Sequence, residues 1–267
     1  MQTFYYRQLT QNDNVYVNYI ECFFIAPTTI GVTMLSLQEG RFATIKKDSI
    51  GFFKNFFYLS QIFPLSRKEA MKKNTINSFL VKDFEKYYDL RIAHVISQGN
   101  NDEVKVYQFI PYNEMVSKNA VMLSGFLYIR TKDHSIVRME ASTKNVGLID
   151  FPNVKDGMYY FTVTYRDGIE SYPIVESVKS EAEIELVRNG QSHLLKVSSI
   201  LFATDYPLKS KGKKVKQNDF LLKKVAESKY NQKFWDNNPI IKRTKIEQQV
   251  MDDFNGLGYF GSMKFNE

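Results

Sequence analysis

The side chains able to do acid–base, nucleophilic or metal chemistry are few in this chain and poorly spaced for it. Histidine occurs at three positions, His94, His134 and His193. None has a ligand spacing such as His-Glu-x-x-His. His94 falls mid-strand, His134 in a polar turn and His193 at the start of a strand, so each reads as structural or surface. Cys22 is the only cysteine, which rules out an internal disulfide and a Cys-rich zinc site. Between Glu21 and Phe23, with no histidine partner in a motif, it reads as a small buried apolar residue. The carboxylate pairs Asp102-Glu103 and Asp252-Asp253 are adjacent in sequence, and neighbours in strands or helices point apart. They read as solvated charges. The stretch Gly256-Leu257-Gly258-Tyr259-Phe260-Gly261 superficially resembles a phosphate loop but lacks the following Lys-Ser/Thr and reads as a flexible terminus. We expect no catalytic residue, no cofactor, no metal and no enzymatic activity, with a hydrolase as the remote alternative.

Two other groupings point to binding. Asp48 or Ser49 can cap a helix in which Phe52, Phe53, Phe56 and Phe57 share one face. Burying each such ring is worth ~1.5–3 kcal/mol. The stripe is either core or, with Tyr58, one wall of an apolar cavity between helix and sheet. Phe23, Phe24, Leu127 and Ile129 are candidates for the opposing wall, depending on register. The second grouping is basic. Between Leu208 and Lys224 lie Lys209, Lys211, Lys213, Lys214, Lys216, Lys223 and Lys224 against Asp219, which accounts for most of the net charge of +7. This reads as a solvated connector or as a peripheral contact with an anionic membrane. With no arginine and no aromatic before Phe220, it does not read as specific nucleic-acid recognition.

The elements that must position these groups are mostly strands. From about Tyr88 to Tyr206 alternating stretches fold back at Gly99-Asn100-Asn101-Asp102, Lys132-Asp133-His134, Asp167-Gly168 and Asn189-Gly190, turns whose residues accept positive φ. Leu90–Ile96 faces Val104–Ile110, Gly125–Arg130 faces Ser135–Ser142, and Tyr159–Arg166 faces Tyr172–Val178. Glu181, Glu183 and Glu185 alternate with Ala182, Ile184 and Leu186, a strand with one wet face. Leu194–Thr204 returns with apolar residues on both faces. Upstream, residues 3–11 suit a short helix or an extended lead-in. A strand follows over Val15–Ile25 and ends at Pro27. Thr29–Leu37 and Arg41–Lys46 suggest a hairpin turning at Gln38-Glu39-Gly40. Residues 48–86 break the pattern with short helices. One is capped by Ser66-Arg67-Lys68-Glu69, and a last one spans Ile76–Phe84. At the far end, Thr244 and Glu247 form a capping box for a helix over Lys245–Phe254, closed by Gly256 and Gly258.

Hydrophobic residues at 43% and charged residues at 24% suit a globular domain, and aromatics at 15% favour strands. No apolar run approaches the ~20 residues of a membrane helix. The opening Met1-Gln2-Thr3-Phe4-Tyr5-Tyr6 has no basic and apolar signal pattern. A cytosolic chain, or a fragment lacking an upstream export signal, would both fit.

Phe4-Tyr5-Tyr6-Arg7 with Tyr16-Val17-Asn18-Tyr19-Ile20-Glu21 resembles the opening of a Bacteroidetes cell-envelope family, the carboxypeptidase-like regulatory-domain-containing proteins. Lys86–Arg91, Gly125–Arg130 with Ile136–Glu140, and Tyr230–Thr244 are similar as well. The resemblance covers the region after the regulatory-like domain and implies an envelope location, periplasmic or outer-membrane associated. It does not imply peptidase activity. The layout is also similar to the lipoprotein-carrier (LolA-like) fold. The expected architecture is therefore mainly β with α: a large curved antiparallel half-barrel with short helices on its concave face. Residues 1–206 would form this domain with a helical insertion at 48–86. Residues 207–229 would be a Lys-rich connector, and 230–267 a Trp-containing segment and helix packed on the domain. The expected function is non-enzymatic binding of an apolar ligand or partner segment in the sheet/helix concavity, with lipid, lipoprotein or an envelope protein as partner. The alternative is an envelope scaffold or interaction protein with a filled core.

Overall fold

The structure, a computed structural model, describes residues 1–27, 35–45, 76–77, 84–97, 99, 103–113, 121–143, 154–168, 173–205, 213–215, 224–225, 227–228, 230–238 and 243–260. These residues are mostly strand. β1 (Gln2–Asn12), β2 (Val15–Ala26), β3 (Leu35–Thr44), β5 (Tyr88–Ser97), β6 (Glu103–Pro111), β8 (Ser124–Arg130), β9 (Ile136–Thr143), β10 (Val154–Asp167), β11 (Pro173–Arg188), β12 (Gln191–Thr204) and β13 (Lys213–Val215) form one open sheet of 11 strands. Its order is β13-β3-β2-β1-β12-β11-β10-β9-β8-β6-β5 and every pairing is antiparallel. β4 (Ile76–Asn77) and β7 (Val121–Met122) make a separate short parallel ladder. The helices α1 (Gln232–Asp236) and α2 (Lys245–Gly256) follow the last strand.

The run of alternating stretches after Tyr88 folds into antiparallel neighbours as expected: β5 pairs with β6, β6 with β8, and β8 through β12 each with the next. Asn189 and Gly190 both have positive φ, 52° and 76°, and join Arg188 to its partner Gln191. This is the backbone such a pair accepts cheaply. The β10–β11 connection is wider than a tight Asp167-Gly168 turn, because Asp167 pairs with Pro173 across residues 168–172. An early turn went unread in the sequence: Asp13 and Asn14, with φ of 49° and 67°, join β1 to β2. Residues 3–11 are a strand, and a central one, because β1 pairs with both β2 and β12.

Two expectations are corrected. Gln38-Glu39-Gly40 does not turn, and β3 runs straight through it. The pairing of β2 with β3 shifts between Phe23 and Phe24, leaving Gln38 as the extra residue of a bulge. Gly40 serves close approach rather than turning, since a methyl there would stand 3.0 Å from the Val225 side chain. Ile76–Phe84 is not one helix: Ile76-Asn77 is extended in β4, and Phe84 opens a 3-10 turn over Phe84–Lys86. The helices expected at 48–63 and after Ser66 lie outside the described residues.

Candidate functional site

Register places the candidate residues on two faces. One row crosses the sheet through paired residues: Gly40, Cys22, Tyr6, Leu201, Val178, Val163, Met139, Leu127, Tyr107 and finally Ile92. From Cys22 to Leu127 this row belongs to one continuous apolar core, and Tyr107 packs against it. Phe24, Leu127 and Ile129 share this core. Phe23 does not, because it lies one residue from Phe24 in the same strand and so faces the other way. It packs with Tyr5 and Trp235. Four expected wall positions thus split three to one. Phe52, Phe53, Phe56, Phe57 and Tyr58 lie outside the described residues, as do Lys209, Lys211 and Lys216. Lys213 and Lys214 fall in β13, paired with Leu37 and Ser36 at the sheet edge.

The two ends of the core row differ. At the β3 end, Val225 sits over Gly40 and is itself 1% exposed. At the β5 end, Ile92 is 59% exposed, and Leu90 and Val95 are 44% and 49% exposed. Leu90 pairs with Phe109 and Val95 with Lys105, which puts both on the side of Ile92. The apolar face therefore runs out into water along β5. Every residue from Leu90 to Ser97 is exposed.

The opposite face of β1–β3 carries a buried ionic cluster that no motif announced. Arg7, Glu21 and Arg41 stand side by side across three strands. The row Tyr5–Phe23 flanks them on one side, and Leu9–Tyr19–Ala43 on the other. Glu21 has no exposed surface. It accepts from the Tyr5 hydroxyl, from Arg41 Nε at 2.6 Å and from Arg243 Nη2 at 3.2 Å to each carboxylate oxygen. Arg41 also lies 4.5 Å from the Trp235 ring centroid and 5.3 Å from that of Phe260, close enough for cation–π attraction. Glu247 does two jobs: one oxygen accepts from the Thr244 N–H at 2.7 Å to complete the capping box of α2, and the other pairs with Arg7. Val250, Met251 and Phe254 of α2 pack with Leu9, Tyr19 and Ala43. The signal in the sequence was a carboxylate and an arginine set inside otherwise apolar strands, a costly placement unless paired.

This cluster fastens the segment 230–260 to the sheet, and its groups are not poised for reaction. Burial, reinforced by the Glu21 charge, holds the Tyr5 hydroxyl well above the ordinary phenol range, and Tyr19 is raised for the same two reasons. Burial opposes the charge on Arg243, but Glu21 together with Tyr19 and Tyr5 outweighs it and the guanidinium is held protonated. Burial raises the Cys22 thiol, again reinforced by Glu21. Cys22 lies fully inside the core, as its sequence context implied. His193 Nδ1 lies 2.8 Å from Asp13 at the first turn, and His94 is on exposed β5. Among the described residues no group of three His, Cys, Asp or Glu side chains converges as a metal site. No described helix is long and apolar enough to cross a membrane.

No family model matches the sequence, and no curated protein does. Among solved structures, the crystal structure of MucB in complex with MucA(peri) is similar at 8% identity and a TM-score of 0.19, covering 75% of this chain and 88% of that one. At that TM-score the likeness carries no argument about this chain.

Proposed function

We propose that this chain is a non-enzymatic cell-envelope protein that binds a partner polypeptide segment against the apolar face of its sheet. The observation that carries the reading is the core row that ends bare at Ile92, beside exposed Leu90 and Val95. Large apolar groups gathered on one exposed strand edge are a feature of interaction sites. The envelope location rests on the resemblance of the strand and aromatic positions given above. A segment fits better than a small apolar ligand held inside. Phe24, Val163 and Ile184 on the core face have no accessible surface, so no space large enough for a water molecule adjoins them. The second reading is a scaffold or interaction protein with a filled core and no small-molecule ligand, which the burial of those three side chains also favours.

The test is a titration of delipidated protein with a fluorescent fatty acid and, separately, with extended peptides carrying alternate apolar residues, each repeated with Ile92→Lys. Peptide binding that the variant loses, with no fatty-acid binding, is expected. Saturable fatty-acid binding indifferent to Ile92→Lys, or no binding of either probe, refutes the segment reading. Recovery of the native protein in the cytosolic fraction of its host refutes the location.

A further inference from the structure

We propose that the exposed edge of β5 pairs with β5 of a second copy of this chain, antiparallel about a two-fold axis. The proposal rests on the segment-binding reading above and names the segment.

Among the described residues β5 ends the sheet, so its outward N–H and C=O groups have no strand beside them. An added strand would satisfy them. Natural edges are usually blunted by charge or by bulges. β5 does contain a bulge: Ile92 pairs with Tyr107 and His94 with Val106, which leaves Ala93 as the extra residue. The bulge also changes which residues share a face. Leu90, Ile92, Val95 and Ser97 stand on the core side, and Asp89, Arg91, His94 and Ile96 on the other.

An unbulged strand pairing with itself about a two-fold axis needs opposed positions of equal parity. Across Ala93 the requirement inverts. Setting Ile92 opposite Val95 of the second copy also sets Leu90 opposite Ser97 and Arg91 opposite Ile96. Each of these pairs lies on a matching face, and the two bulges oppose one another at the axis. The shift by one residue would set Ile92 against His94, on opposite faces. Arg91 stays beside Asp89 of its own chain, to which its Nε donates at 2.6 Å, so the pairing leaves no charge without its partner. The interface is isologous, as a closed dimer requires. Eight exposed residues, backbone edge included, offer on the order of 500 Å² per copy, and two copies reach about the 1,000 Å² at which specific interfaces begin. Ile92 of each copy would then face Val95 of the other rather than water, on the side of the sheet that carries the core.

The experiment is sedimentation and light scattering of the full chain over a range of concentrations, with Ile92→Lys and Val95→Lys as breaking variants and circular dichroism to verify their fold. A twofold mass that falls to the monomer in both variants is expected. A covalent test fixes register. The double variant Ile92→Cys with Val95→Cys should give an oxidised dimer, while Leu90→Cys alone should not. The only native cysteine is buried and adds no background. A monomer at every concentration, a dimer indifferent to both lysines, or cross-linking through Leu90→Cys overturns the proposal. If the chain is monomeric yet loses peptide binding with Ile92→Lys, the segment reading survives and only the self-pairing falls. If it is monomeric and the edge is inert, both fall.

Discussion

Replacing Glu21 by Gln tests the ionic cluster most directly. The amide keeps the shape of the carboxylate but removes the charge, and it turns a donor toward groups that are themselves donors. Arg41 and Glu21 side chains are 4% and 0% exposed, so water does not replace what is lost. Breaking a buried ion pair from one side typically costs ~3–5 kcal/mol, a large share of the ~5–15 kcal/mol that holds a domain folded. The cluster has an exit that an ordinary core site lacks. If the segment carrying Trp235, Arg243 and Glu247 lifts away, Arg41 and Arg243 regain hydration while the strands stay paired. The loss should therefore appear first as release of this segment.

Trp235 is the only tryptophan and is 3% exposed, with Arg41 over its ring. Its fluorescence reports the segment, and far-ultraviolet circular dichroism reports the sheet. In a urea titration of the native chain the two signals should move together. In Glu21→Gln the fluorescence should shift first, with a midpoint lower by about 1 M or more if the slope is about 3 kcal/mol/M. Lys155→Ala removes an exposed pair with Glu185 and should move neither signal, because surface pairs contribute little. If both signals of Glu21→Gln superimpose at the native midpoint, the cluster is not what holds the segment, and the reasoning fails.

Two further perturbations follow from local geometry. A methyl at Gly125 would stand 1.9 Å from the Glu140 carbonyl oxygen, within the β8–β9 ladder, so Gly125→Ala must part those strands. It should cost more than the ~1–3 kcal/mol of ordinary overpacking, read as a lowered urea midpoint by circular dichroism, and an unchanged midpoint would refute it. At the β8–β9 turn, donation from Ser135 Oγ and N, then from Arg130, lowers the Asp133 pKa from 3.8 to about 2. A depressed carboxyl contributes stability that is present above its unfolded value and lost as pH falls through its folded value. The native chain should thus lose a small increment between about pH 4 and 2 that Asp133→Asn lacks, and a stability difference between the two that is constant over that window would refute the assignment.

How far the fold was legible depended on how local its causes were. The hairpins β5–β6, β8–β9 and β11–β12 were readable because their strands pair and the turn residues sit between them in sequence. The α2 capping box was readable because Thr244 and Glu247 are three residues apart. Gln38-Glu39-Gly40 misled because its composition suits a turn, while the glycine answers to Val225, far along the chain. The pairing of β1 with β12 left no mark that a local pattern detects, since Phe4 meets Ala203. The ionic cluster was half-legible. Glu21 amid apolar neighbours is anomalous on sight, but nothing near it in sequence says that Arg243 answers it. Of the expected cavity wall, periodicity could place Phe23 and Phe24 on opposite faces; which face was the core depended on partners elsewhere.

The position of β1 explains why the first three strands are treated differently from the rest. β11 buries one face and leaves the other charged or polar, as its alternation shows. β1 and β2 are buried on both faces. Their second face holds Tyr5, Tyr19 and Phe23, which would be an aggregation hazard if left in water. The chain covers it with its own final segment and places charge in the middle of the contact. An all-apolar contact of this size would hold in any of several rotations of a short helix. Arg243 on Glu21, with Arg7 on Glu247, admits one. The buried charges thus set position where packing alone would set only proximity, a specifying role that buried ion pairs fill in some proteins at a cost in stability. β5 has no such cover among the described residues, and its core side shows leucine, isoleucine and valine to water. Among the described residues the chain thus seals one apolar face with residues 230–260 and shows another at β5, which is the contrast the proposed pairing rests on.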